Sequence, residues 1–135
     1  MKKLAVFASM LICTIAHQIH AEEQCSNADL RGVYSFVASG TFGAASFVTA
    51  GLTTYHGDGQ VDGLIQISLN GNAMKVTSWT GKYTVDPVNC TATKTADIPG
   101  VGTVHFFVTA GDGFRELRFI STDTGASISG TARKQ

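Results

Sequence analysis

His56, Asp58 and Asp62 crowd one short stretch of the sequence. An imidazole beside two carboxylates can hold a cation or share a proton. Asp58, however, stands between Gly57 and Gly59, and Gly-Asp-Gly is what a tight turn demands. The spacing matches no metal loop, so a turn is the reading adopted and no metal site is expected. Tyr34, Tyr83, His105 and Glu116 are the remaining candidates. A histidine on the wall of a cavity can act as a general base near an apolar ligand, with tyrosine hydroxyls and a carboxylate beside it. His105 alternates against Val104, Phe106 and Val108, which by default gives a half-exposed strand position. Glu116 and Arg118 share a parity, which by default gives an exposed surface pair. These four residues are taken as candidate ligand-binding groups and none as catalytic. No Gly-x-Ser-x-Gly elbow occurs, and no cofactor is implied.

Cys25 and Cys90 are the other reactive pair. Their meaning depends on the compartment, and the chain's opening suggests one. Lys2 and Lys3 form a positive head, Leu4–Ala16 is an apolar run too short to span a bilayer comfortably, and Ala21 is a suitable cleavage residue. This pattern reads as a secretory signal peptide over residues 1–21, leaving one domain over 22–135. The expectation is an exported protein, periplasmic or secreted, with no membrane span after cleavage. Glu22-Glu23-Gln24 before Cys25 does not suit lipid attachment. Cys13 leaves with the leader, and two cysteines remain in an oxidising compartment. With no CxxC spacing and no histidine nearby in sequence, a Cys25–Cys90 staple outweighs a redox or metal pair. It would close a loop of roughly 65 residues, and the chain-entropy model assigns that about 4 kcal/mol.

Residues 22–135 carry eight basic and ten acidic side chains, a net charge of −2 with histidine neutral. The basic residues are scattered, so nucleic acid is not an expected partner. Low charge with much Gly, Thr, Ser and Val suits a compact sheet protein.

The elements that must position these residues are short β-type runs bounded by Gly, Asn or Asp. They fall at Gly32–Ser39, Phe47–His56, Gln60–Leu69, Ala73–Val85, Cys90–Ala96, Thr103–Ala110, Phe114–Thr122 and Ala126–Lys134. Gly40–Ala45 reads as a loop or helical turn that covers one end. In Ala73–Val85, Met74 and Val76 sit on one parity while Trp79, Tyr83 and Val85 sit on the other. A one-residue offset near Ser78–Gly81, a β-bulge, is therefore expected. Short turns join antiparallel neighbours, and an even number of strands can close on itself. The fold class expected is all-β: an eight-stranded antiparallel up-and-down β-barrel with one N-terminal disulfide staple. A two-sheet sandwich is the alternative. Adjacent Phe106 and Phe107 must face opposite sides, which hints at a covered or self-associating outer face.

Cys25-Ser26-Asn27-Ala28-Asp29-Leu30-Arg31-Gly32-Val33-Tyr34, the Gly57-Asp58-Gly59 turn, Gly81-Lys82-Tyr83-Thr84-Val85 before Cys90-Thr91, and Ser129-Gly130-Thr131-Ala132 form a further pattern. It resembles a family of small exported bacterial proteins, similar in turn to the calycin-like eight-stranded barrels of the allene oxide cyclase and dirigent type. The resemblance implies a barrel and carries over no catalytic residue. Gly32-Val33-Tyr34 departs from the Gly-x-Trp of the lipocalins. The function expected is a non-enzymatic binding module for a small apolar ligand or a partner protein. The alternatives are a cyclase- or isomerase-like enzyme and a self-associating surface protein.

Overall fold

The computed structural model describes residues 24–135. The expected leader, with Cys13, lies outside the described residues. Short turns and alternating patterning produce nine strands: β1 Arg31–Phe42, β2 Ala45–His56, β3 Gln60–Leu69, β4 Asn72–Ala73, β5 Thr77–Val85, β6 Ala92–Ile98, β7 Gly102–Gly111, β8 Glu116–Ser121 and β9 Ala126–Lys134. All pairings are antiparallel, and β9 returns to pair with β1 along Tyr34↔Lys134 to Phe42↔Ala126. The sheet is therefore a closed barrel. The two-residue β4 and the longer β5 both pair with β3 and together make one stave, which gives the eight staves expected.

The register offset in this stave is real, but it lies N-terminal to its expected place. Ala73 pairs with Ser68 and Thr77 with Ile65, so Met74, Lys75 and Val76 oppose only Gln66 and Ile67. The bulge is therefore at Met74–Val76, and β5 keeps one parity throughout, with Trp79, Gly81, Tyr83 and Val85 inward. Gly81 has a different task. The ladder to β6 is interrupted there, and Lys82 N–H bonds the Thr95 hydroxyl instead of a backbone carbonyl. A Cβ on Gly81 would lie 2.0 Å from the Thr95 carbonyl oxygen. Glycine lets the two strands pinch together, a sharp bend of the kind a small barrel needs to curl. Gly40–Ala45 also differs from expectation. β1 continues to Phe42, and Gly43-Ala44 turns directly into β2.

Inward positions build one core, including Tyr34, Phe47, Tyr55, Ile65, Trp79, Val104, Leu117, Phe119 and Ile128. Gly130 supplies the space for one of them, because the Phe119 ring would come within 2.5 Å of a Cβ there. One barrel end is plugged by the segment before β1. Leu30 is wholly buried, Tyr83 Oη donates to the carbonyls of Asn27 and Leu30, and Val85 N–H donates to Asn27 Oδ1. The Cys25–Cys90 disulfide ties the plug to the β5–β6 turn, with a Cα–Cα distance of 5.3 Å. Among the described residues no helix is long and apolar enough to cross a membrane.

Candidate functional site

β6 places Ala92, Lys94, Ala96 and Ile98 on the inner wall. Strand geometry forces this, since alternate residues must share a face. The consequence is a lysine inside the barrel, only 9% exposed. It stands opposite Tyr83 on β5 and Phe106 on β7. The small flanking residues Ala92 and Ala96 leave room for its long stem.

Four aromatic rings surround the amine. Lys94 Nζ lies 4.9 Å from the ring centroid of Trp79, 5.4 Å from Phe106, and 5.6 Å from each of Tyr55 and Phe119. Each ring face attracts a cation. Yet among the described residues no carboxylate and no hydrogen-bond acceptor pairs with this nitrogen. Rings cannot replace the lost water, so burial pulls the amine down to about 8. A second polar atom is also unpartnered. Trp79 Nε1 is buried with no acceptor among the described residues. A buried orphan donor costs roughly 1–3 kcal/mol.

Beyond Lys94, away from the plug, a chamber of about 30 Å³ remains. A water needs roughly 10–15 Å³ on this measure, so the chamber is only about two waters in size. Its walls include Phe36, Phe47, Ile65, Phe119 and Ile128, and Trp79 and Lys94 also line it. Phe42, at the end of β1, and Val101, in the β6–β7 turn, stand at the unplugged end and are partly exposed.

The four residues singled out from the sequence do not converge on this chamber. Tyr34 and Tyr83 sit with Tyr55 at the plugged end, where Tyr55 packs edge-on against both. Their hydroxyls are engaged structurally, that of Tyr34 by the Phe114 carbonyl. Burial raises the pKa of all three phenols. His105 is outside: its N–H donates to Asp123 Oδ2 at 2.6 Å and its Nδ1 lies 2.7 Å from Oδ1. These bonds, the backbone one first, hold the Asp123 carboxyl below its usual range. Glu116 is exposed at the plugged end of β8. His56 and Asp62 form an exposed pair, and Asp58 Oδ1 accepts from Gln60 N–H, the turn role expected of it. Among the described residues no cluster of three or more His, Cys, Asp or Glu could hold a metal.

The barrel's shape is similar to that of solved designed proteins. A de novo fluorescence-activating β-barrel superposes with a TM-score of 0.59 at 10% identity, over 80% of this chain and 96% of that one. The redesigned barrel mFAP0, bound to DFHBI, gives 0.58 at 16% identity over 78% and 99%. The redesigned barrel mFAP1, also bound to DFHBI, gives 0.57 at 15% identity over 80% and 97%. At such identities the likeness concerns fold alone. No family model and no curated protein matches the sequence.

The sequence signal for the site was slight. A lysine in a threonine-rich strand reads as a solvent-facing residue. Only its parity with Ala92, Ala96 and Ile98 marks it as inward.

Proposed function

We propose that this protein is an exported binding module whose barrel interior takes a small apolar ligand carrying one hydrogen-bond-accepting head group. The observation that carries this reading is the Lys94 amine, with no acceptor among the described residues, on the wall of a largely apolar chamber that Trp79 also lines. A buried amine without an acceptor costs stability, and an acceptor placed against it would recover part of that cost. The chamber is far smaller than ordinary ligand pockets of about 300–1,000 Å³. The head group therefore goes inside, and the tail is admitted by displacement of Phe42 and Val101. The designed barrels that bind DFHBI support the idea that this fold can hold a ligand. The leader pattern and the single disulfide support export. The shared barrel fold is consistent with kinship to the exported cyclase-like family. Cyclase-type catalysis is less favoured, because Tyr34, Tyr83, His105 and Glu116 are dispersed.

The test is NMR of the Trp79 indole N–H during titration with four- to six-carbon carboxylates and alcohols. Saturable shifts are expected, with carboxylate binding weakened about tenfold or more by Lys94→Met, the loss of one charge-assisted hydrogen bond. An indole resonance indifferent to every probe contradicts the reading.

A second reading, self-association through the outer wall, rests on Phe107 and Ile120. They are cross-strand partners, 38% and 53% exposed. Light scattering of the wild type and of Ile120→Lys tests it: a monomer at high concentration removes it.

A further inference from the structure

We propose that Lys94 is a covalent anchor: its ε-amine condenses with a short apolar aldehyde admitted past Phe42 and Val101. The inference deepens the binding reading and rests on it. Its basis is the setting of the nitrogen. Nζ is enclosed by four ring faces and, among the described residues, has no carboxylate or other acceptor to hold it. An unpaired amine in a dry apolar site is the kind of nucleophile that attacks carbonyls, because the neutral form keeps its lone pair. Trp79 also lines the chamber, and its indole N–H is buried without an acceptor among the described residues. The apolar walls select an alkyl tail over a sugar-like one, since a hydroxylated aldehyde would bury polar groups unpaired.

The step balances without an oxidant or reductant. The nitrogen lone pair forms the C–N bond as the C=O π pair moves to oxygen. One proton passes from nitrogen to that oxygen, giving a carbinolamine. The C–O bond then breaks, the second nitrogen proton leaves with the hydroxyl, and the products are an imine and one water. Burial also brings the amine's titration to about 8, so roughly a tenth of it is neutral at pH 7. Lys75, Lys82 and Lys134 are exposed and lack such an enclosure.

The experiment incubates the full chain with butanal and cyanoborohydride at pH 7 and maps butylated lysines by peptide mass spectrometry. In parallel, 1-butanol, which cannot condense, is titrated against the Trp79 indole resonance. The expected result is butylation of Lys94 at least about tenfold faster than of Lys75, Lys82 and Lys134, reflecting its larger neutral fraction. Labelling at position 94 disappears in Lys94→Met while the other sites are unchanged. Lys94 labelling no faster than the surface lysines, with butanol still shifting the indole, overturns the anchor and leaves the binding site standing. No selective labelling and no indole shift overturns both. The site map of the unsubstituted chain decides the matter even if the variant does not fold.

Discussion

Lys94 sets the energetics of the interior. Taking its amine from the usual lysine range to about 8 corresponds to about 3 kcal/mol of desolvation cost when protonated. Met fills a similar volume without a charge. Lys94→Met is therefore expected to raise unfolding stability by about 2–3 kcal/mol at pH 7, measured by denaturant titration. The same group fixes a pH dependence. Above about pH 8 the folded chain has released this proton while the unfolded chain retains it, so stability rises with pH from about 8. Tyr34, Tyr55 and Tyr83 work in the opposite sense. Their folded pKa values are raised by burial, so the unfolded chain ionises first and stability falls above about pH 10. Wild type should thus gain about 2 kcal/mol between pH 8 and 10 and then lose stability. Lys94→Met should be flat over that interval, and a matching rise in the variant would remove Lys94 as the cause.

At the scale of strands, most of the plan was legible. Gly57-Asp58-Gly59 and Asn70-Gly71-Asn72 mark turns by their own backbone needs, and inward parity follows from alternation. The opposing parities of Met74 and Trp79 revealed an offset. They could not place it, because the extra residue is defined by pairing across to Gln66 and Ile67. The dispersal of Tyr34, Tyr83, His105 and Glu116 was likewise invisible before the barrel closed. Side-chain type announces chemistry, but only closure decides which faces meet. Gly40, Gly51, Gly63 and Gly81 each let a neighbouring strand's carbonyl approach where a Cβ would stand, and Gly81 lies two residues before Tyr83, the partner of Lys94. Gly81→Ala would drive a methyl into the Thr95 carbonyl. Its expected cost is about 2–4 kcal/mol, read from denaturant midpoints, because backbone rather than a flexible side chain must move. An effect below about 0.5 kcal/mol would mean the pinch relaxes freely.

The whole molecule is asymmetric from end to end. One end is sealed by the N-terminal plug, three tyrosines and the disulfide; the other holds a small apolar chamber behind Phe42 and Val101. The Cys25→Ser/Cys90→Ser double variant frees the plug. It is expected to lose about 3–4 kcal/mol of stability in chemical denaturation while keeping the barrel's β-type circular dichroism. A loss below about 1 kcal/mol would show that Leu30 and Asn27 hold the plug unaided. The central claim, an amine buried among aromatic rings within the barrel, is tested most directly by an NMR pH titration of the Lys94 ε-methylene, assigned by its absence in Lys94→Met. A midpoint near pH 8 is the expected result. A midpoint in the ordinary lysine range, about 10.4, would contradict it.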